Sequence, residues 1–150
     1  MLLKPEAVRA LSGVTSKKRL MNELGALAEA AYDVPHSDAI DALLERESLG
    51  PTGVGNGVAL PHARLDGLEH VVGALAVLDK PIPFDAVDRQ PVDLVFALFA
   101  PTDSGVEHLK ALALVSRTLR DTAFCAKLRA NHDSATLYTI VSEAQAAQAA

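Results

Sequence analysis

The sequence predicts a single α/β sandwich domain, and two observations carry that reading. Residues 70–79 and 92–100 are almost continuously apolar, the pattern of central strands covered on both faces. Before and after them lie segments whose apolar residues recur at helical spacing, so helices flank the strands on both sides. With 150 residues, 49% of them hydrophobic, the chain fits one domain and has ample material for a core. Aromatics make up only 4% and Trp is absent, so an aliphatic core is expected.

Residues 1–14 read as irregular, with a short strand at 10–14. Ser16 suits an N-cap and opens a helix to about Tyr32, with Leu20, Met21, Leu24, Leu27, Ala28 and Ala31 on one face. Pro35-His36-Ser37 punctuates the chain. Ser37 is expected to cap a second helix with Asp38 and Asp41 in its first turn, where acids suit the helix dipole. That helix buries Ile40, Leu43 and Leu44 and ends near Gly50. A glycine-rich loop and a strand at 57–60 follow. Residues 85–91, between the two long strands, are polar and turn-rich. Ser104 and Glu107 have the spacing of a capping box, opening a helix to about Arg120 with Leu109, Leu112, Val115, Ser116 and Leu119 inward. Asp121 begins a shorter helix ending near Asn131. Asp133 or Ser134 begins the last one, with Leu137, Ile140 and Val141 inward, and residues 144–150 are expected to fray. No linker or internal repeat divides residues 1–150, which read as one domain.

The net charge is −5. No basic run extends beyond Lys17-Lys18-Arg19, which argues against a nucleic-acid partner. Cys125 is the lone cysteine, so no intramolecular disulfide forms, and the thiol reads as a small buried hydrophobe. Lys4 and Glu6 interrupt the N-terminus before a signal-peptide core can form. No apolar run approaches the roughly 18–20 residues that span a bilayer. A soluble cytoplasmic protein without membrane insertion is expected.

Residues 50–63 are the most informative stretch: Gly50-Pro51-Thr52-Gly53-Val54-Gly55-Asn56-Gly57-Val58-Ala59-Leu60-Pro61-His62-Ala63. Glycine at this density marks tight bends or close approach to a ligand, and a run of free backbone N–H groups can cradle an anion. A neutral imidazole is a good nucleophile near pH 7. It can take a phosphoryl group on one nitrogen while the other is held by a hydrogen bond. Transfer then needs in-line positioning and donors for the equatorial oxygens, which the amides of Thr52, Gly53, Gly55, Asn56 and Gly57 are expected to supply. The competing reading makes His62 a strand-end residue satisfied by a carbonyl; the adjoining loop favours the functional one.

His108, in the first turn of its helix, lies where a bound anion is favoured. It also shares a face with Leu112, Val115 and Leu119, so on residues alone it reads first as a core-border histidine. Arg46 has the fork that suits phosphate, but locally it reads as a solvated helix charge, no different from Arg64. His36, His70 and His132 read as surface or strand-edge residues, and Asp85, Asp88 and Asp93 as turn and edge residues. No metal-ligand spacing and no nucleotide-binding motif occurs, so neither metal nor cofactor is expected.

The stretch from Leu44-Glu45-Arg46-Glu47 through His62 resembles the phosphorylation-site region of type-2 enzyme IIA domains of the bacterial phosphoenolpyruvate-dependent phosphotransferase system, where the pattern runs roughly S-T-G-I-G-N-G-I-A-I-P-H. The resemblance continues through Pro81-Ile82-Pro83-Phe84-Asp85, Gln90-Pro91-Val92-Asp93 and Glu107-His108-Leu109, covering about residues 10–142. It implies a mixed β-sheet flanked by helices on both faces. It also implies that His62 is the phosphoryl acceptor, His108 the stabiliser of the phosphoryl group and Arg46 a phosphate contact. The implied donor is an HPr-type phosphocarrier. Gln90-Pro91-Val92-Asp93 is most similar to the nitrogen-regulatory class, which implies regulated protein targets such as a potassium transporter or a sensor kinase. The alternatives are a sugar-specific relay to a membrane permease and a binding module that has lost transfer. Pro51 replaces the usual serine, and Ala63-Arg64 replaces the common Gly-Lys or Gly-Thr.

Overall fold

The two apolar runs pair with each other. In the computed structural model, which describes residues 2–149, they form β5 (Val72–Ile82) and β6 (Val92–Pro101), joined antiparallel with Leu75 opposite Phe96 and Ala76 opposite Val95. Both faces of this pair are buried, from Val72 to Leu78 and from Leu94 to Pro101, because helices cover both sides. The other elements are β1 (Leu3–Leu11), α1 (Lys17–Tyr32), α2 (His36–Ser48), β2 (Gly53–Gly55), β3 (Val58–Ala59), β4 (His62–Leu65), α3 (Val106–Thr118), α4 (Thr122–Arg129) and α5 (Ser134–Ala149). The six-stranded sheet runs β1-β5-β6-β3-β2, with β4 also on β6. It is mixed: β1 runs parallel to β5, β3 and β4 run parallel to β6, and β2–β3 is an antiparallel hairpin. α1 packs on α2, β1 and β5. Phe96 faces Val115, Leu119, Leu128 and Val141 at the α3–α5 layer.

Several helix signals act as expected. Ser16 Oγ accepts the Arg19 N–H at 3.1 Å, and Asp121 caps α4 through the N–H groups of Ala123 and Phe124. Cys125 is buried, donates to the Leu119 carbonyl at 3.2 Å and has its pKa pushed up by burial. Other expectations need correction. Residues 3–11 are a full strand, disguised by a bulge: β1 advances from Leu3 to Val8 while β5 advances only from Gly73 to Leu75. Ser37 does not cap α2; Pro35 does so without a side-chain bond, and the His36 N–H donates to Glu29 at 3.0 Å. The Ser104–Glu107 box does not form either, since Ser104 Oγ donates to the Pro101 carbonyl at 3.0 Å. The buried stripe of α3 is His108, Ala111, Val115 and Leu119, whereas Leu109 is 68% exposed. Val115 and Leu119 are buried as expected, on the face that His108 shares; Leu109 is the misplaced member, because the sheet takes up the histidine side. α5 continues to Ala149 rather than fraying at 144.

The bulge in β1 leaves backbone groups without ladder partners, and Tyr32 at the end of α1 supplies one. Its hydroxyl accepts the Lys4 N–H at 3.1 Å and donates to the Gly73 carbonyl at 2.6 Å. Burial raises its pKa to about 12, so it remains a donor at physiological pH. Tyr32→Phe leaves both backbone groups short of a partner and should cost about 1–3 kcal/mol, read as a lower urea midpoint. An unchanged midpoint would show that water replaces the hydroxyl without loss.

Candidate functional site

The edge of β6 builds the site. β3 and β4 lie along it in one register, Val58 and Ala59 against Leu94 and Val95, His62 to Leu65 against Leu98 to Pro101. Pro61 between them has no N–H to contribute, though its carbonyl still accepts from Leu98 at 2.9 Å. Leu60 faces the other way: its N–H donates to the Thr52 carbonyl at 3.0 Å, and its own carbonyl lies 3.0 Å from His62 Nδ1. A carbonyl only accepts, so Nδ1 carries the proton. On the other side the Arg46 Nε–H, which can only donate, lies 3.3 Å from His62 Nε2. Both neighbours demand the same tautomer, with the lone pair on Nε2.

The half-buried His62 ring opens onto a groove of ≈ 450 Å³ shared with Glu45, Arg46, Leu49, Arg64 and His108. A second hollow of ≈ 380 Å³ lies beside it, lined by Thr52, Val54, Leu60 and Leu112 among others. Arg46 comes from the last turn of α2, and its Nη1 donates to the Gly50 carbonyl at 2.9 Å. That bond closes the end of α2 and aims Nε at the imidazole. His108 comes from the first turn of α3 and is only 6% exposed. Its ring meets that of His62 edge-on, with centroids 5.6 Å apart and planes at 71°. Burial chiefly, with His62 and Arg64 close by, holds the His108 pKa below the usual 6.5, so the ring is neutral at pH 7. His108 Nε2 is buried and has no hydrogen-bond partner. An unsatisfied buried group of this kind costs about 1–3 kcal/mol and marks a place where a ligand atom would be welcome.

The structure thus brings His62, His108 and Arg46 together. The glycine-rich stretch is organised differently from the expected cradle. Asn56 and Gly57 both have positive φ, 57° and 78°, the backbone of a two-residue hairpin turn joining β2 to β3. The Asn-Gly pair is the signal that marks this hairpin in the sequence. The Thr52 N–H and hydroxyl donate to Glu47 at 3.0 and 2.6 Å, and the Asn56 N–H donates to Asp88 at 2.9 Å. Those two amides are therefore already engaged, and Asp88 has its pKa lowered chiefly by that Asn56 bond. A Cβ on Gly53 would lie 2.7 Å from that of Ala86, so its glycine serves close packing of β2 on the 84–89 loop. Gly57 lies against Arg129 and Asp93. Of the five loop residues, Thr52 lines the hollow beside His62, while Asn56 and Gly57 sit at the hairpin tip on Asp88 and Arg129.

Residues that sequence reasoning passed over hold this arrangement. Lys17 Nζ lies 2.9 Å from Glu47 and 4.5 Å over the Phe84 ring, tying the start of α1 to the end of α2. Arg129 on α4 pairs with Asp93 at 2.9 Å and donates to the Asn56 carbonyl at 2.8 Å. These partners are far apart in the chain, and no local pattern announces them. His70 and His132 are exposed, and His36 bonds the Asn22 carbonyl at 3.0 Å. Among the described residues no group of His, Cys, Asp or Glu could hold a metal ion, and no helix is long and apolar enough to cross a membrane.

Comparison with known proteins agrees along most of the chain. The family model for the phosphoenolpyruvate-dependent sugar phosphotransferase system, EIIA 2, matches residues 1–144. A nitrogen regulatory protein of Bradyrhizobium diazoefficiens is 46% identical over 140 residues, covering 93% of this chain and 92% of that protein. A protein named as the fructose-specific EIIA component of a PTS system, from Haloferax volcanii, is 37% identical and covers 78% of this chain and 79% of its own length. The crystal structure of the nitrogen regulatory protein IIA-Ntr from Neisseria meningitidis superposes with a TM-score of 0.83 at 34% identity, covering 93% of this chain and 95% of that one. A match this long in both sequence and backbone leaves one conclusion: the chain belongs to the EIIA type-2 family of the phosphoenolpyruvate-dependent sugar phosphotransferase system.

Proposed function

We propose that this chain is a phosphoryl-carrier regulatory protein of the nitrogen-regulatory branch. His62 accepts a phosphoryl group from an HPr-type phosphocarrier in the cytoplasm, and its phosphorylation state governs binding to partner proteins such as a potassium transporter or a sensor kinase. The observation that carries this reading is the His62 tautomer: Nδ1–H on the Leu60 carbonyl, with the Nε2 lone pair turned to Arg46 at the edge of an open groove. The relatives named as nitrogen regulatory proteins support the branch. The fructose-type relative keeps a second reading in view, relay of the phosphoryl group to a sugar permease.

In this mechanism the Nε2 lone pair attacks phosphorus in line with the donor's N–P bond. The electron pair of that bond stays on the donor nitrogen, which leaves as neutral imidazole when its ring carries a proton on the other nitrogen. His62 becomes the N-phosphorylated ring, its positive charge eased by Nδ1–H donation to Leu60. Arg46 releases Nε2 and turns its fork to the arriving oxygens. His108 Nε2 finds in a phosphoryl oxygen the partner it lacks in the free protein. The roughly −1.5 to −2 charge added to the groove then alters which surfaces dock over it.

Incubation with phosphoenolpyruvate, enzyme I and an HPr-type carrier should add one acid-labile group of about 80 Da, absent in His62→Ala. No gain with any carrier would favour the binding-module alternative. His108→Ala should still accept phosphate but pass it on about 10²–10³-fold more slowly, the usual cost of losing one donor to developing charge; onward transfer at the wild-type rate removes His108 from the mechanism. Pull-downs with native protein, His62→Ala and His62→Glu should capture different partners, and a sugar permease among them would favour the relay. Folding stability should also report on His108. The unfolded chain binds its proton near 6.5 while folded His108 binds it only at lower pH, so the stability present above that value is lost as pH falls through this window. Urea melts from pH 8 to pH 5.5 should show the loss, reduced in His108→Gln; equal slopes in both proteins would contradict it.

A further inference from the structure

Arg64 is exposed, yet its guanidinium is not free. Nη1 donates to the Thr102 carbonyl at 3.2 Å and also to the Ser104 carbonyl. Arg64 lies two residues along β4 from His62, so both side chains leave the sheet on the same face. Thr102 and Ser104 belong to the loop that delivers α3, and His108 stands in the first turn of that helix. Arg64 therefore bridges the strand that carries one histidine and the loop that positions the other.

No side chain caps the start of α3, which is tied to the end of β6 by the Ser104 N–H and hydroxyl on the Pro101 carbonyl. Its N-cap, Gly105, makes no side-chain cap bond, and a Cβ there would meet nothing within 4 Å. Ser104, the expected cap, turns back to Pro101 instead. His108 Nε2 forms no hydrogen bond that could hold the ring. The edge-on contact with His62 at 5.6 Å depends on where the helix begins. From this arrangement we infer that Arg64 is a positioning residue for phosphoryl transfer: by clamping the Thr102 and Ser104 carbonyls it sets His108 against His62. The inference rests on the phosphoryl-carrier reading of His62 and adds a residue to it. Both carbonyls are held by one amino group, Nη1, fixed in the guanidinium plane, which a lysine ammonium on a flexible stem does not reproduce. The Arg64 charge also lies in the same groove and contributes to the low proton affinity of His108.

Arg64→Lys and Arg64→Gln test the clamp, because both lose the planar guanidinium that presents Nη1 and only the first keeps the charge. Single-turnover transfer from the carrier and onward should slow by roughly ten- to hundredfold in both variants, the scale of an ångström-sized misplacement of a reacting or stabilising group. The nuclear Overhauser effect between the His62 and His108 rings in unmodified protein should weaken in both. Histidine titration by NMR should raise the His108 pKa in Arg64→Gln and leave it near wild type in Arg64→Lys, a difference that altered folding alone would not produce. Wild-type transfer rates with an intact ring contact in Arg64→Gln overturn the inference. A slow Arg64→Gln beside a wild-type Arg64→Lys assigns the effect to charge and overturns the clamp. If the wild-type protein takes no phosphate, the carrier reading fails by itself; the ring contact in the two variants then decides the clamp, its weakening in support and its persistence against.

Discussion

The site depends on one main-chain contact, the Leu60 carbonyl on the His62 imidazole at 3.0 Å. β3 and β4 keep one register along β6, so residues alternate: the Gly57 and Pro61 carbonyls accept from β6, while Leu60 turns the other way, its N–H on the Thr52 carbonyl and its own carbonyl on the imidazole two residues on. Pro61 has no N–H to leave stranded beside β6. The result is a histidine whose tautomer is set by main chain rather than by a carboxylate. A carbonyl orients the ring without adding a negative charge next to an incoming phosphoryl dianion, which a carboxylate partner would repel.

The groove is polarised around that ring. Arg46 holds one side of it, and His108 is kept neutral by burial with an unpartnered nitrogen. The free protein thus stores a small unfavourable term in His108, one that an acceptor oxygen would relieve. On the proposed phosphoryl-carrier reading, a group unsatisfied in the resting state and satisfied in the loaded state would favour loading, as differential binding requires. The low proton affinity has a second consequence. A negative group on His62 would draw a proton toward His108, so charge on one ring and protonation of the other are coupled.

The glycine-rich segment contributes shape more than donors. Its hairpin turn is held at the tip by Asp88 from one loop and Arg129 from α4, and at the base by Glu47. Lys17 extends that hold to the start of α1. Ion pairs of this kind are individually modest when exposed, but Glu47 is largely buried and satisfied by three donors. Such a node fixes a conformation more than it adds stability.

Local chemistry made much of this legible in the chain. Apolar runs announced β5 and β6 because burial on both faces leaves no alternation. Ser16 and Asp121 announced helix starts because a cap acts within three residues. Pro61-His62 after a glycine-rich run singled out the candidate ring, and the family resemblance drew in His108 and Arg46, which the fold brings beside it. What the chain could not disclose depends on partners distant in sequence. β1 is hidden because its bulge breaks the period and Tyr32 repairs it from another element. How far the inward face of α3 extends is decided by the sheet, so Leu109 is exposed while His108, which the pattern placed at the core border, is buried. Whether a loop amide is free or already engaged depends on Glu47 and Asp88, and the His62 tautomer depends on how the Leu60 carbonyl and Arg46 meet the ring. Sequence alone determined which groups are present and which short segments they organise; tertiary structure decided which of those groups meet, because hydrogen-bond satisfaction and desolvation are properties of the assembled neighbourhood.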